Sequence, residues 1–280
     1  MKIKIISDST CDLPKELLDK YDISIVPLTV IKNDEAFSDG VTITTDEIFA
    51  HVAAGGNLCT TAAVGVLDYQ DHFAPYAKEF DAVVHISISS ELSSSYQNAN
   101  LAAQEFDNVK VVDSRNLSTG QGLVVLKACE LAAAGCSAEE IVETLNTFTA
   151  KVEASFLLDR LDYMVKGGRC TAVVALGANL LGLKPCIEVK DGKMGVVKKY
   201  RGNYAKSLAA YVKDRLSDRD DLDRTHLFVT HTPVSAECMD SVKAAVTEHA
   251  DFENIYYTDA GCTVSCHCGP GTLGVLFVRK

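Results

Sequence analysis

A hydroxyl-rich stretch, Ala82–Gln97, carries the side chains of this sequence that are best placed to do chemistry. Its first six residues are mostly apolar and β-branched, which predicts a short buried strand. Six serines follow in the nine residues Ser87–Ser95, and Ser94 with Gln97 predicts a capping box that starts a helix. A strand, a serine turn and a helix in this order leave backbone N–H groups that attract an anion. The same serines also suit simple helix capping, so their spacing leaves both interpretations open.

Polar side chains also end two other predicted strands. Ser7–Thr10 follows the apolar run at the N-terminus, and Asp113 with Ser114 follows the run that begins at Val109. In open α/β sheets, ligands bind beyond the carboxyl ends of the strands. Each single Asp or Ser is explained by capping, but three such ends at one sheet edge predict a binding site.

The elements that position these residues alternate between strands and helices up to about residue 150. Capping boxes at Thr44/Glu47 and Ser137/Glu140 mark two helix starts. This alternation predicts a parallel sheet with helices on both faces. From Lys151 onward hairpins mix with helices, and Asp191-Gly192 supplies a hairpin turn. We therefore predict a Rossmann-like α/β domain at residues 1–150 and an α+β domain at residues 151–280.

Three leucines of the second half, Leu180, Leu181 and Leu183, lie in a nearly all-apolar segment. If they face the hydroxyl-rich strand ends, the groove between the domains is a long apolar pocket that ends in hydroxyls. Such a pocket suits an acyl chain with a carboxylate head group. Core packing explains the leucines equally well when they are taken alone.

Composition excludes several classes of partner. The 280-residue chain has 47% hydrophobic residues and a formal net charge of −11, which argues against nucleic acid or an anionic membrane. Neither a signal-peptide pattern nor a membrane-spanning apolar run is visible, so we expect a cytoplasmic protein. The ten cysteines include one cluster, Cys262, Cys266 and Cys268 around His267, whose spacing does not match a zinc site. We predict no metal.

Two classes of enzyme compete with a binding protein. A hydrolase could use Ser93 as nucleophile with His267 and either Asp8 or Asp113, but the G-x-S-x-G elbow is absent. A nucleotide-binding enzyme would need a P-loop or a G-x-G-x-x-G turn after a strand, and neither is found. We therefore favour a carrier without turnover of its own and keep an acyl-ester hydrolase as the alternative.

Several motifs together resemble one known family. They occur in order as IISDSTCDLP, SISSELSSSYQNA, VDSRNLSTGQG, LDYMVKGGR, LGLKPCIEVKDGK and HCGPGTLGVLF. The whole chain is similar to the DegV family, the bacterial fatty-acid-binding proteins that act as the B subunit of fatty acid kinase. The resemblance implies one long-chain fatty acid of C14 to C18 between two domains and no cofactor. It also implies an ATP-dependent kinase subunit as partner, which phosphorylates the acid to an acyl phosphate for phospholipid synthesis.

The resemblance also implies which residues hold the head group. The family's carboxylate-binding Thr, Ser and His correspond to Thr61, Ser93 and His267, and its partner- or phosphate-contacting arginines correspond to Arg169 and Arg201. The chain departs from the family pattern at Ala62-Ala63-Val64, Ser94 and Gly202. These departures predict an altered pocket length or head-group preference. Independently of the family, two hydroxyls and an imidazole are suitable donors for a buried carboxylate.

Overall fold

The computed structural model describes residues 1–175 and 182–280 of the chain. The strands are β1 Ile3–Asp8, β2 Ser24–Val26, β3 Thr29–Lys32, β4 Glu35–Ser38, β5 Thr60–Ala62, β6 Ala82–Ser87, β7 Val109–Asp113, β8 Val152–Leu157, β9 Leu183–Lys190, β10 Lys193–Arg201, β11 Leu222–His231, β12 Asn254–Asp259 and β13 Leu273–Arg279. The α-helices are α1 Lys15–Lys20, α2 Thr45–Ala53, α3 Val66–Glu79, α4 Ser95–Ala103, α5 Ser118–Ala133, α6 Ala138–Phe148, α7 Asp162–Gly167, α8 Thr171–Val174, α9 Tyr204–Leu216, α10 Ala236–His249 and α11 Cys262–Cys268.

The first half of the chain forms a four-stranded parallel sheet in the order β2-β1-β6-β7. Its central strand β6 is buried at every position, as expected for a strand covered on both faces by helices. The predicted Rossmann-like architecture is confirmed. Because the strands are parallel, their carboxyl ends meet at one edge, where Ser87 is the register partner of Asp113.

The second half forms a six-stranded mixed sheet in the order β10-β9-β8-β13-β11-β12. Only the β11–β12 pair is parallel among these strands. Asp191 and Gly192 join β9 to β10 with φ of 51° and 81°, the left-handed conformation that a two-residue hairpin turn requires. The predicted hairpin is confirmed, and with it the α+β character of this half.

Helix α5 lies between the two sheets and contacts both. It packs on β1 and β6 on one side and on β8, β11 and β13 on the other. Its apolar residues are spread around its circumference, as expected for a helix surrounded by protein. The largest hydrophobic core is therefore continuous across the two halves, from Ile5 to Val278. The sheets divide the chain between Asp113 and Val152, and the domain division at residues 150 and 151 stays a prediction.

Three local predictions are wrong. The apolar run ISIVPLTVI at residues 23–31 predicts one strand. Pro27 lacks the N–H that a ladder needs, however, and β2 and β3 belong to different sheets. The segment NLCTTAAV at residues 57–64 predicts a short loop. Strand β3 instead pairs antiparallel with β4 and with β5, so Thr60–Ala62 is a strand of a third, three-stranded sheet. The capping box of Ser94 and Gln97 does not form, because Ser94 makes no side-chain cap bond. The capping boxes at Thr44 and Ser137 are confirmed.

Candidate functional site

Thr61 and His267 meet in the structure although 206 residues separate them. Thr61 Oγ1 and His267 Nε2 are 2.8 Å apart, a hydrogen-bonding distance. Strand β5 positions Thr61 through its pairing with β3, and helix α11 positions His267. Both side chains line one pocket together with Ser93. The three predicted head-group residues are therefore neighbours, while their contact with a ligand stays a prediction.

The rest of the pocket wall is mainly apolar and comes from both halves of the chain. Its apolar lining is Leu28, Ala62, Ala63, Ile88, Leu92, Leu117, Met164, Met194 and Val264. The volume of this cavity is about 60 Å³. Leu117, Val264 and Cys268 also line a second cavity of about 30 Å³, which continues toward Phe156 and Leu276. The two cavities thus share three wall residues, and the first of them contains the Thr61–His267 pair.

Ser93 is held by the first residue of helix α4. Its Oγ accepts the backbone N–H of Ser95 at 3.2 Å and lies 3.0 Å from Ser95 Oγ. Ser95 Oγ also accepts the N–H of Val64 at 3.4 Å, and Asn98 Nδ2 donates to the Val64 carbonyl at 2.7 Å. Helix α4 therefore fixes the serine turn and the segment after Thr61 relative to each other. Val64, which departs from the family pattern, makes these contacts through its backbone alone.

Arg169 lines the same pocket, so the structure places this predicted partner contact beside the head-group residues. It follows Gly167 and Gly168, and its Nη1 donates to the Gly167 carbonyl at 2.8 Å. A Cβ on Gly167 would lie 2.3 Å from His267 Nδ1, so only glycine allows the imidazole to approach this closely. Among the described lining residues, Arg169 is the one with a permanent charge.

Arg201 lies outside the pocket. It is exposed at the end of β10, and Gly202 follows it with φ of 95°. The left-handed backbone at position 202 favours glycine and gives a physical reason for this departure from the family pattern. Of the predicted leucines, Leu183 begins β9 and is absent from the pocket wall, and Leu180 and Leu181 lie outside the described residues.

The imidazole of His267 is neutral at physiological pH. Burial, and to a smaller extent the nearby Arg169 charge, lowers its pKa from the ordinary 6.5 to about 4. Among the described residues, its Nδ1 is buried without a hydrogen-bond partner. The pocket therefore holds the hydroxyls of Thr61, Ser93 and Thr263, a neutral imidazole and one arginine. These groups can donate hydrogen bonds to an anion without a second buried charge.

We expect His267 to make the free energy of unfolding depend on pH. Between about pH 4 and pH 6.5 the unfolded chain binds a proton that folded His267 does not, so stability decreases as the pH falls through this range. The substitution His267→Gln should remove that part of the dependence. Denaturant unfolding of both proteins at pH 5 and pH 7.5 measures it. An NMR titration with the His267 midpoint near 6.5 would contradict the assignment.

Two of the polar strand ends, at Asp8 and Asp113, are engaged by the serine turn, whereas that turn contributes Ser93 to the pocket. Asp8 accepts hydrogen bonds from Tyr69 Oη at 2.6 Å, from Ser87 Oγ at 2.7 Å and from the Ile88 N–H at 2.9 Å. Burial acts to raise the pKa of Asp8, but the neighbouring His85 and these hydrogen bonds lower it overall. Asp113 accepts the N–H of Ser90 in the same way. The N–H groups of Ile88 and Ser90 in this turn are thus occupied by the chain's own carboxylates.

The contacts of the predicted triad residues do not favour the hydrolase. The imidazole of His267 contacts Thr61, while the Ser93 hydroxyl contacts Ser95. Asp8 and Asp113 are engaged by the serine turn.

Cys262 and Cys266 pack in a small core with Cys59. Within residues 1–175 and 182–280, no group of His, Cys, Asp and Glu side chains is arranged to hold a metal ion.

Sequence reasoning did not place Arg169, Gly167, Met164 or Met194 at the pocket. The K-G-G-R segment was a usable signal for two of them, because consecutive glycines indicate a close approach by another group. The two methionines carried no signal of this kind.

Across the described parts of the chain, none of the helices is both long and apolar enough to cross a membrane.

The fold and the pocket define an α/β protein of two large sheets and one small sheet, with an apolar pocket that ends in hydroxyls, an imidazole and an arginine. The chain belongs to the DegV family: residues 2–280 match a family model described as "Uncharacterised protein, DegV family". A DegV domain-containing protein of Clostridium acetobutylicum is 35% identical, with 100% of this chain and 99% of the relative aligned.

Two solved structures are similar over almost their whole lengths. A DegV family protein from Thermus thermophilus, described for its fatty acid binding, has a TM-score of 0.92 and 29% identity, with 100% of both chains covered. A stearic-acid-binding protein from Eubacterium ventriosum has a TM-score of 0.83 and 28% identity, with 99% of this chain and 98% of that chain covered.

Proposed function

We propose that this protein binds one long-chain fatty acid, with the acyl chain in the apolar pocket and the carboxylate against Thr61, Ser93 and His267. The observation that carries the proposal is the Thr61–His267 pair, 2.8 Å apart beside Ser93, in a pocket with otherwise mainly apolar walls. The fatty acid binding described for similar DegV proteins supports it.

The chemistry of the pocket suits a carboxylate. A buried carboxylate needs several hydrogen-bond donors, since an unsatisfied charge in an apolar site would take up a proton instead. The hydroxyls of Thr61 and Ser93 each donate one hydrogen bond, and the neutral imidazole of His267 donates another. Arg169 adds a positive charge at the same pocket. We therefore propose that Arg169 helps to bind the carboxylate head group, in addition to any contact that it makes with a partner.

The pocket has to widen to accept an acyl chain. Cavities of about 60 and 30 Å³ are well below the roughly 300–1,000 Å³ of pockets that hold drug-sized ligands. Met164 and Met194 lie in the wall, and their unbranched side chains change conformation easily. We expect these two side chains to move aside when the acyl chain enters.

We further propose that the bound acid is presented to an ATP-dependent kinase subunit and that this protein has no turnover of its own. A carboxylate oxygen of the fatty acid would attack the γ-phosphate of ATP held by the kinase, giving an acyl phosphate and ADP. The product serves phospholipid synthesis. The family resemblance of the motifs supports this step, and exposed Arg201 is suited to contact the partner or the phosphate.

Native mass spectrometry of protein purified from a bacterial host, followed by solvent extraction, tests the binding. We expect one fatty acid of C14 to C18 per chain, the range that the family resemblance implies. Recovery of ligand-free protein that also fails to take up added fatty acid would refute the proposal. Hydrolysis of p-nitrophenyl acyl esters that disappears in Ser93→Ala would instead favour the hydrolase.

A further inference from the structure

Helix α11 carries a large part of the pocket but has no cap of its own. Thr263, Val264, His267 and Cys268 all line the pocket and all lie on this helix of seven residues. Its N-cap residue is Gly261, which offers no side-chain acceptor. A helix this short is not stable by itself, and its first N–H groups need partners from elsewhere.

Two carboxylates from the first half of the chain supply those partners. Asp12 Oδ1 accepts the Gly261 N–H at 3.0 Å. Asp39 Oδ1 accepts the N–H of Cys262 at 2.9 Å, and its Oδ2 accepts that of Thr263 at 3.2 Å. The two Asp residues are 8% and 4% exposed. Buried carboxylates at a helix N-terminus make strong hydrogen bonds and interact favourably with the helix dipole.

Each carboxylate is itself held in place by a serine of the first half. Ser9 Oγ donates to Asp39 Oδ2 at 2.9 Å, and Ser118 Oγ donates to Asp12 Oδ2 at 2.6 Å. Burial, with a smaller contribution from Asp39, raises the pKa of Asp12 to about 8. The raised pKa limits the charge repulsion between Asp12 and Asp39 near neutral pH. The serine hydrogen bonds and the raised pKa of Asp12 therefore allow two acidic side chains to lie at the same helix end.

We propose that Asp39, assisted by Asp12, is a positioning residue of the head-group site: it caps helix α11 from the other half of the chain and thereby holds His267 against Thr61. The identity of the ligand in this inference rests on the proposed function, whereas the hydrogen bonds from Asp39 to helix α11 do not depend on it. Loss of the Asp39 carboxylate leaves two buried N–H groups without a partner. The first turn of α11 then loosens, and the imidazole four residues further along moves away from Thr61 Oγ1.

The test compares three full-length variants, Asp39→Ala, Asp39→Asn and Ser137→Ala. Ser137→Ala is the matched control, because it removes the N-cap of α6, a helix that does not contribute to the pocket wall. The readouts are the imidazole NMR signals of His267, identified with His267→Gln, and the affinities for palmitate and for its methyl ester. Thermal unfolding of each variant gives the general loss of stability.

We expect Asp39→Ala to shift the His267 signals and to weaken palmitate binding about tenfold more than Ser137→Ala does. The methyl ester should be affected less, because it lacks the charged head group. Asp39→Asn keeps one acceptor oxygen and should give intermediate values. If Asp39→Ala does not fold, Asp39→Asn alone decides, against the same control.

Unchanged His267 signals together with palmitate binding equal to that of Ser137→Ala would overturn the positioning role. The imidazole signals need no ligand, so they test Asp39 even if the protein binds no fatty acid. A wild type that takes up no palmitate would instead refute the proposed function and leave the outcome for Asp39 to the imidazole signals.

Discussion

Single substitutions at the head-group residues should weaken binding of a long-chain fatty acid by about 10- to 100-fold, which corresponds to about 1–3 kcal/mol. The variants are Ser93→Ala, Thr61→Val and His267→Ala. Each leaves the buried carboxylate short of one hydrogen-bond donor. Because the three groups act on the same two oxygen atoms, the losses should be non-additive in double variants. Binding of palmitate to the wild type, the single variants and the double variants measures the effect.

The methyl ester of the same acid is the control ligand. It keeps the acyl chain and removes the charge, so the substitutions should affect its binding much less. Thermal unfolding of Thr61→Val and His267→Ala accounts for the loss of their mutual hydrogen bond in the ligand-free protein. Equal losses for acid and ester would show that the three residues shape the pocket without recognising the carboxylate.

The two arginines should separate binding from phosphoryl transfer. Arg169→Gln should weaken fatty acid binding by about tenfold, a modest effect for a charge because the side chain is largely exposed and screened. Arg201→Gln should leave the affinity unchanged and lower acyl-phosphate formation by a partner kinase about tenfold or more. The measurements are palmitate binding and ATP-dependent acyl-phosphate formation at saturating palmitate.

Lys199→Gln is the matched control for Arg201→Gln. Lys199 is exposed on the same strand, two residues away on the same face, and its substitution removes an equal charge. It should change neither quantity. An equal loss of acyl-phosphate formation in both variants would reduce the role of Arg201 to that of general surface charge. A large loss of fatty acid affinity in Arg201→Gln would contradict its place outside the head-group site.

Local patterns predicted those parts of the fold that depend on neighbouring residues. The β-branched run at Ala82–Ser87 is the buried strand β6, since a strand covered on both faces is apolar at nearly every position. Asp191-Gly192 forms the expected turn because both positions need a positive φ. The capping boxes at Thr44 and Ser137 form because they too depend on nearby residues: the acceptor and the donor lie three residues apart in the chain.

The parts that sequence patterns missed depend on distant partners. Helix α11 has no cap signal because its caps, Asp12 and Asp39, come from more than two hundred residues earlier. Strand β5 has three residues and exists through its pairing with β3. The family motifs named Thr61, Ser93 and His267, but spacing alone could not show that these residues meet. It could not show either that Arg169 joins them.

Helix α5 has a consequence for how a ligand gains access. Its side chains belong to the cores of both sheets, so a hinge motion that parts the two halves would expose the apolar side chains that α5 buries against one of the sheets. Exposure of this surface is unfavourable, so we expect the two halves to stay packed against each other while a ligand exchanges. An acyl chain should then enter and leave by local rearrangement of the pocket wall, and we expect side chains and short segments to set the rate of exchange.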